Sequence, residues 1–93
     1  MANAIVTFKI MPESPEVDFD AIKDKALEIA KEKGAKGEMQ SKIEPIAFGL
    51  KQVLVYAMYE MEDGKDFDEI SNAMKTIEGV SEAEIINMDL AMG

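Results

Sequence analysis

"KIEPIAFGLKQVLVYAMYEM", residues 42–61, decides how this chain folds. After Gly49 the stretch is rich in β-branched residues and alternates. Val53, Val55 and Ala57 point one way, and Leu54, Tyr56 and Met58 the other. That period of two predicts a long strand. Before it, residues 38–47 ("EMQSKIEPIA") form a weaker strand. Its Pro45 lacks a backbone N–H and belongs on a sheet edge or at a bulge. Between the two strands, Pro45 stiffens and Gly49 loosens a bend that carries Phe48.

Towards the N-terminus, residues 18–34 place Phe19, Ile22, Ala26 and Ile29 at steps of three and four, a helical stripe. Asp18 stands as N-cap, lysines crowd the last turn and Gly34 stops the helix. Ahead of it, residues 3–11 read as a half-buried strand ended by Pro12. Ala4, Val6, Phe8 and Ile10 share one side, opposite Ile5, Thr7, Lys9 and Met11. Towards the C-terminus, residues 62–66 ("EDGKD") read as a turn. Residues 66–79 repeat the helical stripe through Phe67, Ile70, Met74 and Ile77. Asp66 with Glu69 forms a capping-box-like start and Gly79 a stop. Residues 80–92 form a last strand.

The order βαββαβ predicts an α+β, ferredoxin-like sandwich: a four-stranded antiparallel sheet with two helices on one face. A single domain is expected over residues 1–93. The open sheet face, with Leu54, Tyr56 and Met58, suggests a partner or self-association.

Composition excludes much chemistry. The chain has 93 residues, ten lysines, no arginine, histidine or cysteine, and a formal charge of −9. Zinc sites of the usual kind, thiol nucleophiles, disulfides, Ser-His-Asp triads and guanidinium clamps are therefore out. An acylphosphatase-type phosphate cradle fails for want of arginine. Acidity disfavours a phosphate backbone as ligand and suits a partner with a basic surface. No signal peptide or span of about 20 apolar residues is read, so a soluble, cytoplasmic protein is expected. Glu60, Glu62, Asp63, Asp66 and Asp68 lack calcium-loop spacing and read as a solvated turn. No metal or cofactor site is expected, and the methionines read as core filler. The bend itself has two readings: a corner whose aromatic tucks into the core, or a protruding aromatic anchor.

Residues 11–26 ("MPESPEVDFDAIKDKA"), 42–55 ("KIEPIAFGLKQVLV") and the approach "EGVSEAEI" to the last strand resemble archaeal elongation factor 1-beta. They are similar also to the C-terminal exchange domain of eukaryotic elongation factor 1B alpha. The resemblance runs over essentially the whole chain. It implies a guanine-nucleotide exchange domain that releases GDP from elongation factor 1-alpha without a cofactor or covalent step. It also implies that Phe48 docks into a pocket of that GTPase. Pro45 and Gly49 match the residues that shape the bend, and Lys51 the basic residue after it. Eukaryotic members carry a lysine near the terminus that approaches the GTPase's magnesium site. Here that position is approximately Leu90, and no lysine follows Lys75. The expected mechanism therefore falls on Phe48 with neighbouring backbone, or on another lysine such as Lys51 or Lys42. The alternative to exchange is a regulatory module that binds a small ligand or self-associates through the open sheet face.

Overall fold

The computed structural model describes residues 3–60 and 66–91; of the turn expected at 62–66, residues 62–65, with Glu62 and Asp63, lie outside them. The elements follow the expected order. They are β1 (Asn3–Pro12), α1 (Phe19–Glu32), β2 (Lys36–Pro45), a one-turn bend (Ala47–Gly49), β3 (Lys51–Glu60), α2 (Phe67–Met74) and β4 (Val80–Ala91). One antiparallel sheet has the strand order β2-β3-β1-β4, so both central strands are lined on each side and β2 and β4 are edges. This is the ferredoxin-like α+β arrangement. Pro45 ends β2, an edge strand, where its missing N–H costs no ladder bond.

The alternation of β1 sets the core. Ala4, Val6, Phe8 and Ile10 are fully buried against Val53, Val55, Ala57 and Tyr59 of β3. From α1 the core takes Ile22, Ala26 and Ala30, and from α2 Phe67, Ile70 and Met74. Tyr59 is the keystone among the aromatics. Its ring meets Phe8 edge-on at 6.4 Å and Phe67 at 5.4 Å, and its hydroxyl donates to the Ala30 carbonyl at 3.2 Å. A buried phenol needs such a partner.

Helix α1 starts where expected: the Asp18 carboxylate accepts from the Ala21 N–H at 3.1 Å. Past its end Gly34 takes φ 106°, open to glycine without strain. Helix α2 departs from expectation in two ways. Asp66 caps it by accepting from the Asp68 N–H at 3.0 Å, but Glu69 turns its carboxylate to Lys33, the C-cap of α1, 3.2 Å away, instead of closing a capping box. The helix also ends at Met74, not near Gly79. The N–H groups of Thr76 and Ile77 bond three residues back, to Ala73 and Met74, and the Thr76 hydroxyl adds a bond to the Ala73 carbonyl at 2.6 Å. These three-residue bonds replace the α-helical pattern with a tighter turn past Met74 while leaving Ile77 packed against the core.

The open sheet face is less bare than the alternation suggested. Leu54 is buried there, its cross-strand neighbours being Lys9 and Lys42, whose stems cover apolar surface while their ammonium groups stay wet. Thr7 is buried between Tyr56 and Asn87. Lys9–Glu84 and Lys42–Glu44 ion pairs, each 3.0 Å, lie across the same face.

Candidate functional site

The register gathers one end of the molecule. Pro45 pairs with Lys51, Ile10 with Val53, and Pro12 with Val80. The bend after β2, the start of α1 and the turn before β4 therefore share that end. The bend is closed by two backbone bonds: Ile46 N–H to Leu50 C=O at 2.8 Å and Leu50 N–H to Ala47 C=O at 3.3 Å. Between them Phe48 has φ 63°, ψ 30°, and Gly49 has φ 75°. Two successive positive φ values have the sign pattern of a type I′ turn, whose central positions favour Asn, Asp and Gly. Gly49 meets that demand; Phe48 does not. Phe48 is the one non-glycine residue with positive φ among the described residues.

That backbone state answers the question the sequence left open. It swings the Phe48 side chain out of the sheet, where the ring is 97% exposed. The corner reading, with the aromatic tucked into the core, is overturned. An apolar ring held in water on a strained backbone stabilises nothing in this fold, and such outliers gather at binding and switch sites. Apart from the flanking residues, no atom lies within 4 Å of where a Gly49 β-carbon would sit, so the rest of the fold leaves the tip clear on that side as well.

Lys51 opens β3 immediately after the bend, on the helix-facing side. Its ammonium lies 5.8 Å from the centroid of the Phe19 ring. Lys42, the other lysine in question, is occupied elsewhere. It bonds Glu44 on the open face, which raises the Lys42 pKa and, together with the hydrogen bond from Gln52, lowers that of Glu44. The structure thus brings Pro45, Phe48, Gly49 and Lys51 together at one tip and sets Lys42 aside.

Two exposed apolar residues escaped the sequence reading, Ile86 and Leu90, the latter 67% exposed, and Met88, expected with the other methionines as core filler, is 42% exposed on an edge strand. The β1–β4 register slips by one residue between Thr7 and Phe8, with Ile86 as the extra residue. Beyond that bulge Met88 and Leu90 oppose Val6 and Ala4 on the helix side of the edge strand. Their spacing of two was the available signal, but a bulge cannot be placed from one strand alone. Met88 and Leu90 lie towards the opposite end from Phe48, roughly 30 Å away counted along β3 at about 3.3 Å per residue, with Ile86 midway along β4.

Among the described residues no group of three or more His, Cys, Asp or Glu is placed to hold an ion. Of the acid cluster, Asp66 caps α2 and Glu60 pairs with Lys36 at 3.5 Å. A groove of about 660 Å³ lies between the start of α1 and the turn before β4, floored by Val17, Ala21, Ile29 and Ile77. No helix among the described residues is long and apolar enough to cross a membrane.

Residues 5–90 match the family model of the EF-1 guanine nucleotide exchange domain. The chain is similar to elongation factor 1-beta of Methanococcus maripaludis, 40% identical over 91 residues that cover 97% of this chain and 99% of that protein. Elongation factor 1-beta of Thermococcus gammatolerans is 35% identical over 83 residues, 89% of each chain. That of Nanoarchaeum equitans is 40% identical over 78 residues, 84% of this chain and 93% of its own.

Proposed function

Because the chain belongs to the EF-1 guanine nucleotide exchange domain family, we propose that it promotes GDP release from elongation factor 1-alpha, with Phe48 as its principal anchor. The observation that carries this reading is the ring itself, 97% exposed on a backbone state that phenylalanine does not favour. An aromatic with two χ angles on a closed turn loses little freedom on docking, so its burial converts efficiently into affinity. Pro45 and Gly49 shape the turn, and Lys51 supplies the cation beside it.

Exchange of this kind needs no bond to be made or broken in the factor. The factor binds the nucleotide-free GTPase more tightly than the GDP-bound one, and linkage requires that factor and GDP weaken each other by the same ratio. A tenfold mutual weakening corresponds to about 1.4 kcal/mol of differential binding. An apolar anchor and a cation at one tip suffice for that, provided their sites on the GTPase change shape with nucleotide. The acidic chain, −9 overall, favours encounter with a basic partner surface.

The open-face alternative finds less support, since Leu54 and Thr7 are already buried there by neighbouring strands. The test is release of fluorescent GDP from active elongation factor 1-alpha with excess unlabelled GDP. Micromolar factor is expected to accelerate release at least tenfold, and Phe48→Ala to remove most of that gain. No acceleration by the wild-type chain overturns the proposal.

A further inference from the structure

Of the nine lysines among the described residues, five, Lys9, Lys23, Lys33, Lys36 and Lys42, have an acidic partner. Lys51 has none among the described residues, in a chain with nineteen acids. It rests instead over the Phe19 ring. We propose that Phe19 is a positioning residue for exchange. Its ring holds the Lys51 ammonium beside the Phe48 bend, un-neutralised and available to an acidic side chain of the GTPase. This inference rests on the exchange reading above.

Phe19 makes a firm platform. It is the first residue of α1, follows the Asp18 cap, and is half-buried against the core. The Asp18 carbonyl also accepts the Ile22 N–H at 3.1 Å, so the turn that carries Phe19 is fixed at both ends. Lys51 is the first residue of β3, paired across the bend with Pro45. The contact therefore ties the foot of the bend to the start of α1.

The choice of an aromatic over a carboxylate has a chemical consequence. A ring face attracts the ammonium through its quadrupole but carries no counter-charge. A carboxylate on the same spot would cancel the lysine and would have to be displaced before a partner could pair with it. The ring also restrains a flexible four-carbon stem, so less freedom is lost when the partner binds.

The test uses the full chain with four variants: Phe19→Leu, Phe19→Tyr, Lys51→Met and the Leu–Met double. In the wild-type NMR spectrum the Lys51 ε-methylene protons are expected upfield of the other lysines. The shift should be kept in Phe19→Tyr and lost in Phe19→Leu. In the exchange assay Phe19→Leu should raise the factor concentration for half-maximal rate by about two- to five-fold, the worth of one exposed cation–π contact. The rate at saturating factor should fall by less than half, and tyrosine should restore the wild-type curve. Lys51→Met should cost a similar factor, with little added in the double variant. A wild-type spectrum without the upfield shift overturns the proposal. So do losses that multiply in the double variant, or failure of tyrosine to restore activity. If Phe19→Leu melts below the assay temperature, the wild-type shift and the exposed Lys51→Met variant still decide it. Absence of exchange by the wild-type chain sinks both readings, whereas exchange that ignores Phe19 and Lys51 sinks only this one.

Discussion

Substitution of Phe48 should separate function from stability, and the structure says by how much. The ring is 97% exposed, so about 6 Å² of its ~200 Å² is covered, and removing it forfeits only about 0.15 kcal/mol of burial. Alanine keeps a β-carbon and so keeps the strain of φ 63°; Phe48→Ala should change stability by less than about 0.5 kcal/mol. Asparagine tolerates the left-handed region, and relief of about 0.5–1 kcal/mol of strain should raise Tm by about 2–8 °C in a domain of this size. Glycine relieves the same strain but loosens the unfolded chain, so Phe48→Gly should sit near wild type. Thermal melts followed by circular dichroism, run beside the GDP-release assay, measure both quantities. The expected pattern is three variants with weak exchange and wild-type or higher Tm. A drop of more than about 10 °C for Phe48→Ala would refute the reasoning, because it would mean that the ring packs against the fold. So would an asparagine variant less stable than the alanine one.

Other positions test the frame that holds the tip. Gly79 has φ 91°, and an added β-carbon would lie 3.3 Å from Val17 Cγ1, so Gly79→Ala should cost about 1–3 kcal/mol, read as a lower urea midpoint. Burial pushes the Tyr59 hydroxyl up from 10.0 to about 12. Both folded and unfolded chains keep that proton at neutral pH, so its contribution to stability is full there. Above pH 10 the unfolded chain releases a proton that the folded chain retains, and stability should fall as pH rises towards about 12. Melts of wild type and Tyr59→Phe across that range check it. The variant should lose about 1 kcal/mol at neutral pH through its missing bond to Ala30, yet decline less steeply above pH 10. Equal slopes would show that Tyr59 is not the group responsible.

What the sequence revealed depended on whether the deciding interaction was local. The core face of β1 was legible because Ala4, Val6, Phe8 and Ile10 alternate without a break, and all four are fully buried. The start of α1 was legible because the Asp18 cap acts three residues ahead, at Ala21. The end of α2 was not. Ile77 keeps the helical spacing and reaches the core, but does so from a tightened turn after Met74. The burial of Leu54 required knowing that Lys9 and Lys42 stand beside it on different strands. The direction of Phe48 turned on the sign of one φ angle, which residue type alone misjudges, since phenylalanine ordinarily avoids the state it holds here. The cation–π contact of Lys51 joins residues on two elements and left no mark in either segment.

The pairing pattern carries a kinetic consequence. Strand β1 closes its outer ladder with residues nearly a full chain-length away, Asn3 against Ala91, whereas Pro45 meets Lys51 across a bend of only a few residues. Contacts that close short loops form before those that close long ones. The β2–β3 hairpin is therefore an early event in folding, and the left-handed residue at its tip is set while most of the sheet is still unmade. Strain at Phe48 then acts as a brake on the rate of folding rather than on the lifetime of the folded state. The tip that carries the exposed ring is also the place where the chain first commits to its shape.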